Sequence, residues 1–411
     1  MFYYSVNGLP CCSDEELPYE PLKNPGAAAE MFWLFSREPG AGRASFKVSD
    51  PALMAQPAEN VSWLNKNLLG RSEAEEPLKS LIAAGRVKAV NRLHPRFSEI
   101  LKERPEKRKK RVHVLAIGDV GSNLLTGLHL LGGDVIDSIG ICDISDKVTA
   151  RWAFEENQIA YPWEYDALPE VDVVQPENLF QCDMFVFVAS KGIPPVGSGV
   201  KDVRMYQFEA NSAIVASYAR QARREGFQGL FAVVSDPVDP LAKTAYLESN
   251  KDENGRFDGL GLRPEQVQGY GLGVMNARAA YYAKRDPRFS RFLTEGRTFG
   301  PHGQDLVVAD SIENYDDGLS KELTEAVVTA NLKMRALGFK PFVAPAFSSG
   351  AISLVLTLRG AWHCGSVFLG GVYMGVKNRY TPYGLETEIL PLPEKLYERI
   401  VTAQDNLRAI V

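Results

Sequence analysis

Two side chains, 24 residues apart, carry chemistry that suits one pocket: Arg278 in GYGLGVMNAR (269–278) and His302 in GPHGQD (300–305). A guanidinium forks onto a carboxylate through two parallel hydrogen bonds. An imidazole takes up and releases a proton near neutral pH. Held together, they can clamp a 2-oxo or 2-hydroxy acid and move the proton that accompanies a hydride. Taken singly, an arginine is usually a surface residue and a histidine a structural one. The reading therefore depends on the elements that position the pair.

Those elements begin at residues 111–118, RVHVLAIG, an apolar run closed by glycine that predicts a buried strand of a parallel sheet. GDVGSNLLTGLHLLGG follows, with Leu124, Leu125, Leu128 and Leu131 at helical spacing. Strand, glycine turn and helix set backbone N–H groups and a positive helix end against a pyrophosphate. A second strand, VIDSIGICDI, ends at Asp143, 22 residues past Gly121. A carboxylate there accepts from ribose hydroxyls and repels a 2′-phosphate, which favours NAD over NADP. The glycine signature is Ala116-Ile117-Gly118-Asp119-Val120-Gly121, with alanine in place of the first glycine of G-x-G-x-x-G. The bland alternative is a doubly wound domain that binds another ligand, or none, at the same crevice.

Further segments build that crevice. CDMFVFVAS (182–190) predicts a strand running to Ala189, and KGIPPVGSGVKDVR (191–204) a long loop suited to a lid. FEANSAIVASYARQARREG (208–226) predicts an amphipathic helix with Asn211 in its first turns. GLFAVVSDPVDPLAKTAY (229–246) predicts a strand running through Ser235 into Asp236-Pro237-Val238-Asp239, then a helix with Asp239 as its cap.

The ordered series AIGDVG, CDI, the GIPP loop, EANSAIV, VVSDPVDPL, GYGLGVMNAR and GPHGQD resembles the NAD-dependent lactate/malate dehydrogenase family. The resemblance covers residues 111–411, and the C-terminal YGLETEILPLPEKLYERIVTAQDNLRAI looks like that family's last hairpin and helix. It implies that Arg278 binds the substrate carboxylate and that His302 is the acid/base. It implies a cofactor crevice at Gly118, Asp119, Val120, Gly121, Asp143, Ala189, Asn211 and Ser235. It also implies that Arg204 polarises the substrate carbonyl from the lid, with Lys201 as its rival, and that Ser348 lines the substrate pocket. A homodimer or homotetramer follows from the same resemblance.

Two positions depart from the family. Three residues before the substrate arginine the family has an aspartate that orients the histidine; here it is Met275. The family has Asn-Pro-Val-Asp where this chain has Asp236-Pro237-Val238-Asp239, and an ionised carboxylate cannot donate to a substrate oxygen as an amide does. Three readings stay open. Asp236 replaces the lost partner of His302, its charge favouring the imidazolium. Alternatively it faces a cationic imine or amine, as in an opine- or imine-type reductase. In the third, the chain binds NAD without turnover, as a regulatory protein. The lid residues Pro195, Val196, Gly197 and Ser198 offer nothing to a second carboxylate, so a monocarboxylic acid is expected.

Composition agrees with these readings. The 411 residues are 45% apolar and 24% charged, ordinary for a soluble protein with room for two or three domains. A net charge of −5 argues against a nucleic-acid surface, and no apolar stretch reaches a membrane span. Five scattered cysteines make no disulfide framework, and no metal site is expected. MFYYSVNGLPCC lacks the pattern of a signal peptide, so the expected location is cytoplasmic. His94, His113, His129 and His363 read as core or interface residues. The basic run 107–111 reads as a solvated linker.

The expected architecture is α/β: a Rossmann-type doubly wound parallel sheet (111–265) followed by an α+β substrate domain (266–411). Residues 1–110 are an extension of unknown role, expected to be mostly helical, with Ser72 and Glu75 as a capping box.

Overall fold

The computed structural model describes the chain except residues 56, 57, 71, 73, 105, 192–202 and 339–343. The first 110 residues are built on a sheet, which corrects the mostly helical expectation. Its strands are β1 (Phe2–Val6), β2 (Leu9–Ser13), β3 (Glu20–Pro21), β4 (Met31–Phe35), β5 (Ser45–Lys47) and β6 (Val87–Asn91), in the order β3-β1-β2-β4-β6-β5. Strand period 2 sends Met31, Trp33 and Phe35 to one core and Phe32 and Leu34 to the other. Covered on both faces, these strands show no polar alternation. Two short helices, Leu78–Ala83 and Phe97–Lys102, lie on either side of β6 in the chain. The residue capping the first is Pro77, so the Ser72–Glu75 box does not start it. Cys11 and Cys12 go to opposite cores as free thiols, and burial pushes the Cys11 thiol up to about 12.

Six parallel strands follow: β7 (Lys110–Leu115), β8 (Ile136–Cys142), β9 (Glu170–Val173), β10 (Met184–Phe187), β11 (Leu230–Val233) and β12 (Val267–Gly269). Their order β9-β8-β7-β10-β11-β12 reverses between β7 and β10, which opens a crevice at the carboxyl ends of the strands. Alternation decides the layers. Val112 and Val114 face the helices Asp119–Leu131 and Ala351–Leu358, and Leu115 faces Val203–Arg224 and Val238–Ser249. The sheet is thus doubly wound, as the sequence predicts.

The hairpin strands β13 (Arg297–Phe299) and β14 (Val307–Ala309) form a separate two-stranded sheet. Beyond β12 the main sheet continues antiparallel through β15 (His363–Leu369), β16 (Val372–Thr381) and β17 (Gly384–Thr387), making nine strands that run across residue 265. The closing hairpin and the helix Glu394–Arg408 are where the C-terminal string predicts them.

The N-terminal sheet docks on this body through buried charge. Glu265, with no exposure, accepts from the Ala44 and Ser45 amides (3.0 Å each) and from the Ser45 hydroxyl (2.8 Å). Arg263 forks onto Glu103 with two 2.8 Å bonds. Among the described residues, no helix is long and apolar enough to cross a membrane.

Candidate active site

The turn between β7 and the helix Asp119–Leu131 brings strand and helix very close. A Cβ on Gly121 would sit 2.0 Å from the Ala116 carbonyl oxygen, so only glycine fits. Ala116 itself takes φ +74°, the left-handed region that the missing glycine would occupy without strain. A Cβ on Gly118 would meet nothing within 4 Å, so the turn is open on the side where a phosphate would approach. Asp119 starts the helix and Val120 follows it. Asp143, just past β8, accepts from the Ile117 amide (2.7 Å) and the Ser145 amide (3.1 Å), which fixes its carboxylate beside the turn.

Asn211 is fully buried and ties two loops together. It accepts from the Lys191 amide (2.9 Å) and donates to the Asp236 carbonyl (2.8 Å) and the Ser190 hydroxyl (3.3 Å). The Ser235 hydroxyl donates to the Ala189 carbonyl (2.7 Å). Asn211 and Ser235 therefore brace the ends of β10 and β11. Arg204 lies in the first turn of Val203–Arg224, but its side chain is outside the described residues, as are Lys201 and the lid residues 195–198.

Arg278 and Met275 share one face of the helix Leu272–Ala283, three positions apart. The half-buried guanidinium donates to the Met275 sulfur at 3.6 Å and pairs with no carboxylate among the described residues. Arg43 and Arg263, also buried, are paired with Glu59 and Glu103. Burial pushes the Arg278 pKa down, while the charges of Tyr282 and Asp236 act the other way. A desolvated cation facing a thioether is a ready receptor for an anion.

His302 rides the loop between β13 and β14. Its Nδ1 lies 2.9 Å from the Gly271 carbonyl oxygen, and its backbone N–H donates to Asp239 (3.3 Å). Its Nε2 lies 3.9 Å from Asp236 Oδ1, beyond hydrogen-bond range but within reach of charge. A carbonyl only accepts, so Nδ1 carries the proton and Nε2 is left facing Asp236. The hydrogen bond that orients the ring thus goes to a backbone carbonyl rather than to a carboxylate. Asp236 is the common neighbour of His302 and Arg278. It is half exposed, and its bond to Pro237 is cis.

One reading from sequence is corrected, that of Asp239 as a helix cap. Asp239 follows the cap residue Pro237 and sits in the helix's first turn, where its carboxylate holds the Ser366 hydroxyl and the His302 amide. Asp305, three residues past His302, accepts from Asn406 (3.0 Å). In the Ser348–Ser349 pair, Ser348 uses its carbonyl to accept from Ser353, and Ser349 reaches Gly271. Gly271 and Ser349 carry no motif of their own. The one signal was Gly271, the middle of the three glycines of GYGLG, since a Cβ there would lie 2.7 Å from His302 Cβ. His94, His113, His129 and His363 are buried, and desolvation lowers His363 to about 4.

No protein-family model matches the chain. It is 25% identical over 207 residues to the L-lactate dehydrogenase of Treponema denticola, a match spanning 50% of this chain and 59% of that enzyme. It is 23% identical over 292 residues to the L-lactate dehydrogenase of Mycoplasma mobile, spanning 67% and 85%. The solved malate dehydrogenase of Archaeoglobus fulgidus in complex with NADH superposes with a TM-score of 0.56 at 18% identity, over 73% of this chain and 98% of that one. The resemblance read from the ordered motifs is borne out: these relatives in sequence and in fold are lactate and malate dehydrogenases.

Proposed function

We propose that the protein transfers a hydride between NAD(H) and a 2-oxo or 2-hydroxy monocarboxylic acid. The observation that carries this reading is Arg278, half-buried with a thioether for its hydrogen-bond partner, sharing the neighbour Asp236 with His302. In the proposed organisation, residues 111–265 hold the cofactor and 266–411 the acid, with 1–110 as an accessory unit. A cytoplasmic homodimer or homotetramer is part of the same reading.

The residues present fit a dinucleotide. The open Gly118 turn and the N-terminus of Asp119–Leu131 would receive the pyrophosphate, and Asp143 the ribose. The bound nicotinamide would supply or accept the hydride. The guanidinium of Arg278 holds the substrate carboxylate by a bidentate charge-assisted pair. His302, with Nδ1–H donated to Gly271, presents Nε2 to the substrate oxygen, giving a proton in reduction and taking one in oxidation. Asp236 places a carboxylate 3.9 Å from that nitrogen. Arg204, from the first turn of its helix, supplies a further positive charge toward the developing alkoxide.

A second reading is favoured by Asp236, whose carboxylate stands where an amide would donate to a carbonyl oxygen. A carboxylate there accepts from an imine or amine N–H. One experiment separates the readings: NADH oxidation by the full-length protein with 2-oxo monocarboxylic acids, a 2-oxo dicarboxylic acid, and 2-oxo acids plus an amine. Turnover of the first group alone supports the proposal. Turnover only with amine present favours the imine reading. NADH binding without turnover in any arm rejects both.

A further inference from the structure

We propose that Ser349 is a positioning residue for His302, acting through the Gly271 carbonyl. Two side-chain donors converge on that one oxygen: His302 Nδ1–H at 2.9 Å and the Ser349 hydroxyl at 2.7 Å. The hydroxyl has no rotational choice. Its oxygen accepts from the Val274 amide at 2.8 Å, so its proton points at Gly271. Ser349 is buried at 6% exposure, Gly271 is buried, and the imidazole packs directly on the glycine, where a Cβ would lie 2.7 Å from His302 Cβ.

The geometry sets up a chain: Val274 amide to Ser349 oxygen, Ser349 proton to Gly271 oxygen, and Gly271 oxygen to the His302 ring. Each link fixes the direction of the next. The last one decides which ring nitrogen keeps its proton, and therefore which nitrogen faces Asp236 and the pocket. Met275, three residues before Arg278, is a buried thioether whose sulfur is turned to that arginine, so the ring has no carboxylate from this helix. Among the described residues, the charged and titratable groups against His302 are Asp236 at Nε2 and Asp239 at its backbone amide; Gly271 is the neutral partner at Nδ1.

The kinetic arm of the test rests on the proposed function; the spectroscopic arm does not. Full-length protein with nitrogen-15-labelled histidine is compared as wild type, Ser349→Ala and Ser349→Thr. The His302 ring signals are identified by their loss in His302→Gln. Wild type is expected to show the Nδ1–H tautomer in the neutral state. Ser349→Ala is expected to show a mixture of tautomers and a fall in kcat on the order of tenfold with KM unchanged. Ser349→Thr, which keeps the hydroxyl, restores both. If Ser349→Ala retains the single tautomer, or loses activity only in step with its unfolded fraction, Ser349 is structural and the proposal fails. If the tautomer responds but the wild type turns over no acid, the positioning role stands and the proposed function falls.

Discussion

The Nε2 of His302 stands 3.9 Å from Asp236 Oδ1, while its Nδ1 is held by a neutral carbonyl. Orientation and charge, which one carboxylate on the ring's far side could supply together, come here from two different places. The Gly271 oxygen orients the ring, and Asp236 brings negative charge to its Nε2 side.

Asp236→Asn should therefore weaken reduction of a 2-oxo acid by removing support for the imidazolium. The Coulomb attraction of two unit charges at about 4 Å is about 1 kcal/mol in water, so the loss should be about fivefold. It should shrink in high salt, because Asp236 is half exposed. Rates of both proteins at two ionic strengths check the loss and its screening; equal activity of wild type and variant at low salt would remove Asp236 from the proposed proton transfer.

Arg278→Lys keeps the charge but loses the planar fork. The expected effect is a rise in KM for the acid of roughly tenfold to a hundredfold, the value of a charge-assisted hydrogen bond of about 1.5–3 kcal/mol. NADH affinity, read by fluorescence titration, should stay the same. An unchanged KM would place the acid elsewhere.

The turn from Ala116 to Gly121 carries a strain that can be removed. Ala116 at φ +74° should make Ala116→Gly more stable by about 0.5–1 kcal/mol, the left-handed cost of about 1–2 kcal/mol less the entropy of glycine. Gly121→Ala should do the opposite, since its Cβ would fall 2.0 Å from the Ala116 oxygen. Urea unfolding of both variants tests the pair, and a destabilised Ala116→Gly would contradict the strain argument.

Acid should loosen the N-terminal unit. Burial raises the Glu103 carboxyl, but hydrogen bonds and charge from Arg263, and then from Lys88, outweigh it and hold it at about 2 against an ordinary 4.5. A carboxylate lowered in the folded state stabilises above the ordinary value, and that contribution disappears as pH falls from 4.5 toward 2. With its side chain 37% exposed, solvent screening leaves about 1–2 kcal/mol. Wild type should lose that much more stability than Glu103→Gln across this window, as chemical denaturation at stepped pH would reveal.

Much of the body was legible because its signals are local. β7, the Gly118–Gly121 turn and the helix after it fall within one stretch, and so do Arg278 and Met275 on their helix. The N-terminal sheet was hidden for a physical reason. MFWLF and VKAVN are buried along their whole length, so the alternation that marks a half-exposed strand is absent. The tie on His302 was hidden for another: a backbone carbonyl belongs to every residue, and only the fold decides which one meets the ring. Ser349, which meets Gly271, was hidden beside Ser348, because two adjacent serines look alike in sequence while helical turns send their side chains about 100° apart.

Glu265 carries a consequence for how such a chain can be shortened or inherited. Its carboxylate is satisfied by Ala44 and Ser45, and its neighbour Arg263 by Glu103, all within the first 110 residues. Cut away that unit and a carboxylate and a guanidinium are left on the flank of the body, four and six residues before the end of β12, with their partners gone. A lineage that sheds the extension must replace both side chains in the same step or carry the penalty. The extension, Arg263 and Glu265 are therefore expected to be gained and lost together, as one heritable unit.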